Sequence, residues 1–282
     1  MRGRLAAIKN IVWAFSIVLC LLAVFVGLLF AAFTRSSEEQ FRGALPLGSG
    51  PVKEASEEAD AVAGTRPAEQ GDGTLKTLPE TADAGQAYLD SLTFLCDSTT
   101  IGLRDYGILS GGTETAQVWA TPSGVLSAVD IGESKIVFPN DGSIVSAANA
   151  AMVLQPRILV ISLGNDGLGG IDQYEFIPLY EMLIRSIWEN SPNTYILCLP
   201  LTSVTESYDA GDGVSPARCQ EASAWIRTVC ENTGAYYVDA VSAVQDENGA
   251  LMQEYASANG KTLNSSGINQ ILQFLRYHAV TG

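Results

Sequence analysis

Short apolar runs alternate with segments of helical periodicity along residues 86–282, and this alternation predicts the secondary structure. Brief, mostly apolar runs are typical of parallel strands that are buried on both faces. Apolar residues three or four positions apart predict helices that cover the sheet. The predicted strands span residues 92–95, 117–120, 158–163, 194–199 and 236–241. The predicted helices span residues 143–154, 174–190, 216–232 and 264–278.

The predicted order of elements indicates an α/β fold, a three-layer sandwich around a parallel sheet, for residues 86–282. These 197 residues are enough for one domain. Ligands of such sheets bind beyond the carboxyl ends of the strands. Candidate chemistry is therefore expected in the turns that follow the strands.

The N-terminal segment has the pattern of a membrane anchor. Residues 11–33 form a run of 23 residues without a charge, and a helix needs about 20 apolar residues to cross a bilayer. Residues 1–10 carry only basic charges, which predicts a cytoplasmic N-terminus and an extracytoplasmic main domain in the cell membrane. A cleaved signal peptide is the alternative, but its apolar core is usually shorter.

Charge and composition separate a linker from the domain. Residues 34–85 hold 5 basic and 10 acidic residues and few large apolar ones, so we predict a flexible acidic linker. The whole chain has a formal net charge of −15. Nucleic-acid binding is not expected, because its affinity comes from Lys and Arg on phosphates.

Histidine and cysteine content limits the chemistry further. His278 is the only histidine, which excludes a zinc site of several histidines. The four cysteines beyond residue 33 form no CxxC pair, and we predict buried free thiols. We expect no metal and no cofactor.

Two of the predicted strands lead into polar turns. Asp97 and Ser98 follow the first strand, where a serine is either a helix N-cap or a nucleophile beside a helix N-terminus. The sequence Gly-Asn-Asp-Gly follows the strand at residues 158–163. Its short polar side chains are predicted to meet Ser98, since both turns lie at the same edge of the sheet.

These two segments together resemble the SGNH/GDSL hydrolases. The sequence TFLCDSTTIGL resembles the first block of that family, a strand followed by Gly-Asp-Ser, and ILVISLGNDGL resembles the third block, Gly-x-Asn-Asp. The order and spacing fit across residues 90–280. The resemblance implies a flavodoxin-like SGNH fold, ester hydrolysis and Ser98 as the nucleophile.

The resemblance also implies an oxyanion hole formed by Ser98, Gly124 and the asparagine of the third block. An alignment without a gap gives Asp166 the asparagine position, and a shift of one residue gives Asn165. We prefer Asn165, because an ionised aspartate repels an oxyanion. Asp166 remains the alternative.

The fifth block departs from the family pattern. The family has Asp-x-x-His before the last helix, whereas this chain has Asn259 and Thr262 at the positions of the acid and the base. Threonine cannot accept the serine proton. Lys261 is a weak alternative base, and His278 is predicted near the far end of the last helix.

Two functions follow from the resemblance and its departures. The first is an SGNH-like domain with weak or no turnover that binds cell-wall polysaccharide or another acylated substrate at the cell envelope. The second is an active esterase in which Ser98 works with an unconventional base such as Lys261 or Asp166.

Overall fold

A computed structural model of the chain describes residues 71–281. Three predicted parts lie outside the described residues: the cytoplasmic segment 1–10, the anchor 11–33 and residues 34–70 of the linker. Within residues 71–281, no helix combines the length and the apolar character that a bilayer crossing requires.

A five-stranded parallel sheet forms the centre of the domain, with strand order β2-β1-β5-β6-β7. This order is flavodoxin-like, and its topological switch point lies between β1 and β5. The predicted α/β fold with a parallel sheet is therefore confirmed. The strands are β1 (Leu92–Cys96), β2 (Val118–Trp119), β3 (Lys135–Val137), β4 (Ile144–Ser146), β5 (Ile158–Ser162), β6 (Tyr195–Cys198) and β7 (Tyr236–Tyr237).

Helices cover both faces of the sheet, as the short apolar strands predict. Alternate residues of a strand enter opposite cores: in β5, Ile158 and Val160 join one cluster, while Leu159 and Ile161 join the other. The helices are α1 (Gly85–Asp90), α2 (Gly102–Asp105), α3 (Ala147–Leu154), α4 (Gln173–Asn190), α5 (Pro216–Thr233) and α6 (Ser265–Tyr277). The thiols of the described residues are buried and free, as predicted: Cys96, Cys198, Cys219 and Cys230.

Two element boundaries differ from the sequence prediction by more than two residues. Helix α3 begins at Ala147, four residues later than predicted, because β4 pairs with β3 in an antiparallel hairpin. Ser146 then caps the helix by accepting a hydrogen bond from the Asn149 N–H. Strand β7 has only two residues, because the chain turns into a short 3₁₀ helix at Ala240–Val244.

Part of the predicted linker at residues 34–85 packs on the domain. Lys76 pairs with β7 at the edge of the sheet, and its carbonyl accepts the Tyr237 N–H at 2.8 Å. Asp83 forms an ion pair with Arg276, whose Nε donates to the carboxylate at 2.7 Å. The Lys76 pairing covers part of the open edge of β7, and the Asp83 ion pair attaches the segment to α6. The described portion of the linker thus contributes to the fold.

A single glycine forms the sharp turn after β5. Gly164 has a φ of +121°, which side chains other than glycine rarely adopt. A Cβ atom there would lie 2.8 Å from the Phe176 ring and 3.0 Å from Leu201. The turn therefore requires glycine for its backbone angle and for its packing.

We predict that Gly164→Ala lowers the free energy of unfolding by about 2–4 kcal/mol, the combined cost of backbone strain and overpacking. Gly170→Ala is the matched control, because its Cβ would meet nothing within 4 Å. Urea unfolding followed by tryptophan fluorescence measures both. Equal stability of the two variants would contradict the role assigned to Gly164.

Candidate functional site

Ser98 lies at the switch point of the sheet, directly after β1. Residues Cys96 and Ser162 are paired at the ends of β1 and β5, so the two following turns are neighbours. The Asp97 N–H continues this pairing by donating to the Ser162 carbonyl at 3.1 Å. Ser98 is half-buried. The structure therefore places the predicted nucleophile where flavodoxin-like sheets bind their ligands.

The carboxylate of Asp166 occupies the space beside Ser98. The Ser98 hydroxyl donates to Oδ1 at 2.5 Å, and the Ser98 N–H donates to Oδ2 at 3.1 Å. The Leu126 N–H also donates to Oδ2, at 3.1 Å. Asp166 is only 6% exposed. Three donors thus converge on one carboxylate, two of them backbone amides that share one oxygen.

Asn165 faces away from this arrangement. It is buried, and its amide nitrogen donates to the Thr99 hydroxyl at 3.5 Å. Its amide oxygen lies 3.8 Å from the Cys219 thiol. Of the two alternatives for the third block, the geometry brings Asp166 and not the preferred Asn165 to Ser98. Successive side chains after β5 point in different directions. The backbone path through the turn at Gly164 determines which of the two faces Ser98.

Gly124 forms the turn that carries the second amide but does not itself donate to the site. Its φ is +76°, and its N–H donates to the Thr121 carbonyl at 3.0 Å. The amide that reaches Asp166 belongs to Leu126, two residues further on. Sequence reasoning missed Leu126, because a backbone donor has no residue-type signal.

Asp97 is a second buried carboxylate, and it positions both turns. It is 0% exposed. Its Oδ2 accepts the N–H groups of Gly164 and Asn165, both at 3.0 Å. Its Oδ1 accepts the N–H of Thr99 at 3.0 Å and the Thr99 hydroxyl at 2.6 Å. Burial, together with the negative charge of Asp166, raises the pKa of Asp97 to about 6.

The fifth-block loop reaches the site through Lys261. The Asn259 side chain accepts the N–H groups of Lys261 and Thr262, both at 3.0 Å, and the Thr262 hydroxyl at 3.2 Å. The two residues at the family acid and base positions therefore bond to each other in a turn. The Lys261 ammonium lies 3.7 Å from Asp166 and 3.5 Å from Asp212. It compensates negative charge at the site.

His278 is held at the far end of α6. Its Nδ1 lies 2.9 Å from the Phe274 carbonyl oxygen, and its ring stacks on Phe274 at 3.9 Å. Helix α6 has 13 residues and is about 20 Å long. Its other end adjoins the site, because the Leu263 N–H donates to the Thr99 carbonyl at 3.1 Å. His278 is thus separated from Ser98 by the length of this helix.

The described part of the site contains few groups of the kinds that bind metals. Among residues 71–281, no three His, Cys, Asp or Glu side chains come together as metal ligands. The site instead offers a fixed serine hydroxyl, two carboxylates and one ammonium group. The electrostatic field at Ser98 is set mainly by Asp166, Asp97 and Lys261.

Comparison with known proteins identifies the family. The model of the GDSL-like lipase/acylhydrolase family matches residues 97–260, more than half of the chain. This range contains Ser98, Asp166 and Asn259 but ends before Lys261. No curated protein matches the chain.

Several solved structures are similar to the chain at low sequence identity. A GDSL-like lipase from Bacteroides thetaiotaomicron is 15% identical, with 68% of this chain and 87% of that chain covered and a TM-score of 0.43. A protein of the lipolytic G-D-S-L family from Desulfitobacterium hafniense is 13% identical, with 67% and 99% covered and a TM-score of 0.46. A peptidoglycan O-acetylesterase is 17% identical, with 46% and 38% covered and a TM-score of 0.40.

We predict that Asp97→Asn lowers the free energy of unfolding at pH 7 by about 1–3 kcal/mol. The new amide has one oxygen and one NH₂ group. In either orientation, the NH₂ group faces N–H or O–H groups that donate to the Asp97 carboxylate in the native chain. Asp141→Asn is the matched control, since the exposed Asp141 accepts the same two hydrogen bonds from Ser143. We expect Asp141→Asn to lower the free energy of unfolding by no more than about 0.5 kcal/mol. Urea unfolding checks both variants.

The pH dependence provides a second test of the same assignment. The raised pKa means that Asp97 takes up a proton on folding between about pH 4 and pH 6. Its contribution to stability therefore falls as the pH rises through this window and is constant above it. The free energy of unfolding of the native chain should therefore exceed that of Asp97→Asn by more at pH 4 than at pH 6. A constant gap would contradict a raised pKa.

Proposed function

The chain belongs to the GDSL-like lipase/acylhydrolase family, and from this premise we propose that it binds acylated cell-envelope glycans with weak or no ester hydrolysis. The observation that carries the proposal is the Asp166 carboxylate, held by the amides of Ser98 and Leu126. Family membership supplies the hydrolase scaffold. The local chemistry at Ser98 differs from what hydrolysis requires.

Ester hydrolysis through Ser98 would develop negative charge on the substrate oxygen. That charge needs donors at about 2.7–3.1 Å in the transition state. The two amides at Ser98 and Leu126 already donate to Asp166, and an ionised carboxylate at their focus repels a second anion. Loss of a single donor of this kind costs about 10²–10³ in kcat.

The proton of Ser98 also lacks the usual acceptor. Asn259 and Thr262, at the family acid and base positions, bond to each other. Lys261 lies against two carboxylates, and His278 is at the far end of α6. A nucleophilic serine without a general base loses several orders of magnitude in rate. These two deficits together support binding rather than turnover.

A polar pocket beside the fifth-block loop supports a glycan as the ligand. Its volume is about 200 Å³, and it is lined in part by Tyr208, Asp209, Gln253 and Asn259. Hydroxyl, carboxylate and amide groups of this kind suit the many hydroxyls of a sugar, and a tyrosine ring can cover a sugar face. Gly260 also lines this pocket, and the residue that follows it in the chain, Lys261, has its ammonium group 3.7 Å from the Asp166 carboxylate.

An active esterase is the second candidate function, and one contact favours it. The 2.5 Å hydrogen bond from the Ser98 hydroxyl to Asp166 points the serine proton at a carboxylate. Asp166 would then accept that proton as the unconventional base. Asp166 would become neutral in this step, but it would still occupy the N–H groups of Ser98 and Leu126, so neither would be free for the developing oxyanion, which weighs against this route.

Hydrolysis of p-nitrophenyl acetate by the full chain tests the proposal. We expect the native chain and Ser98→Ala to give the same background rate. A native rate that exceeds the Ser98→Ala rate tenfold or more would overturn the proposal and establish an active esterase that depends on Ser98.

The restored variant Asp166→Asn/Asn259→Asp/Thr262→His sharpens this experiment. It supplies the family amide, acid and base together, so we expect a gain of about 10²-fold over background that disappears when Ser98→Ala is added. Asn259→Asp/Thr262→His with Asp166 retained is the matched control and should stay at background. Equal gain with Asp166 retained would show that the carboxylate is no obstacle.

We further propose that residues 11–33 anchor the chain in the cell membrane with the domain outside. The charge-free run and its basic N-terminal flank support this. In intact cells, a membrane-impermeant maleimide should label Thr74→Cys and leave Ala6→Cys unlabelled. Labelling of both in lysed cells is the control. Labelling of Ala6→Cys in intact cells would overturn this topology.

A further inference from the structure

A groove lies between the loop that follows β6 and the segment that precedes α6. Its volume is about 760 Å³, within the range of small-molecule sites, whereas the polar pocket at Asn259 has about 200 Å³ and is smaller than that range. The groove and the pocket share three wall residues, Thr205, Ser207 and Gln253. A ligand that is too large for the pocket alone therefore has a continuous path into the groove.

Backbone hydrogen bonds fix both walls of the groove. The Val204 carbonyl accepts the Leu251 N–H at 2.9 Å. The Thr205 N–H donates to the Gly260 carbonyl at 2.8 Å. The loop after β6 is thus bonded to the chain on either side of it. Because the backbone is held in this way, the groove needs little reorganisation to receive a ligand.

The charged side chains around the two cavities are all acidic. No Lys or Arg lines either cavity, and the acidic residues are Glu206, Asp246 and Glu254 in the groove and Asp209 in the pocket. Asp246 accepts the N–H groups of Asn248 and Ala250, both at 2.9 Å. Glu206 and Glu254 are exposed and form no ion pair within residues 71–281. The charge that complements this lining is positive.

Lys261 does not supply that positive charge. It follows Gly260 in the chain but lines neither cavity. Its ammonium lies 3.5 Å from Asp212 and 3.7 Å from Asp166, and its side chain is only 14% exposed. Its charge is therefore directed at carboxylates outside the groove, and the groove keeps its negative charge.

We propose that the groove and the pocket together bind an oligosaccharide whose sugars carry free, protonated amino groups. The inference rests on the proposed function, because it takes the glycan near Ser98 to extend along the groove. The amino groups would pair with Glu206 and Glu254, and the acyl groups of such a glycan would be carried on its hydroxyls. A basic peptide has the same charge, but the hydroxyl and amide groups of Ser207 and Gln253 favour a sugar.

Calorimetric titration of the full chain at about pH 6 tests this inference, since carboxylates are ionised there. The probe is a linear tetramer of glucosamine, and the comparison probe is the same tetramer with every amine acetylated. We expect the amine form to bind about tenfold more tightly, the effect of two exposed ion pairs. Equal affinities, or tighter binding of the acetylated form, would overturn the inference.

Substitutions in the groove provide the specificity test. Glu206→Gln and Glu254→Gln should each lower the affinity for the amine tetramer about threefold and leave the affinity for the acetylated tetramer unchanged. Glu189→Gln is the matched control, because Glu189 is exposed on α4 and lines neither cavity. Equal losses in all three variants would indicate attraction to the net charge of the chain and would contradict a site in the groove.

Two further probes separate the alternatives. Monomeric glucosamine should bind about tenfold more weakly than the tetramer, because it cannot occupy both cavities and pair with both glutamates. Tetralysine should also bind more weakly, and equal or tighter binding would assign the groove to basic peptides instead.

Failure of this inference is distinguishable from failure of the proposed function. Binding of both tetramers with no preference for the amine form would discard the groove assignment and keep a glycan-binding domain. Absence of binding by both tetramers would contradict both proposals. Neither tetramer contains an ester, so Ser98→Ala should bind them as the native chain does.

Discussion

The buried carboxylate of Asp97 joins the turn after β1 to the turn after β5, and the geometry of the site depends on it. It accepts two hydrogen bonds from Thr99 and one each from Gly164 and Asn165. A charge out of contact with water is tolerable only with such donors. Because the residues beside these donors are Ser98 and Asp166, one side chain fixes the distance between them.

The exchange of an amide for a carboxylate reverses the polarity of that site. An asparagine facing Ser98 would donate a hydrogen bond, whereas Asp166 accepts three. The backbone N–H groups of Ser98 and Leu126 are of the type that binds an oxyanion, but here they donate to the Asp166 carboxylate. Lys261 offsets part of its charge.

The sequence predicts the features that depend on local pattern. Apolar runs predict β1 and β5, since strands that are buried on both faces are apolar at nearly every position. The resemblance to known blocks predicts Ser98 as the nucleophile. The sequence does not predict whether Asn165 or Asp166 faces Ser98. That depends on the backbone path through the turn at Gly164, where φ is positive. The role of the Leu126 N–H cannot be predicted from the sequence either, because every residue except proline carries a backbone N–H donor.

The hydrogen bond to Asp166 also determines what Ser98 can offer a ligand. With its proton donated to the carboxylate, the Ser98 oxygen presents only lone pairs, so it accepts from a ligand hydroxyl. An ester carbonyl oxygen has no proton to donate and therefore gains no hydrogen bond from Ser98. The net charge of −15 on the whole chain adds a second preference, since it repels anionic ligands before they reach the site.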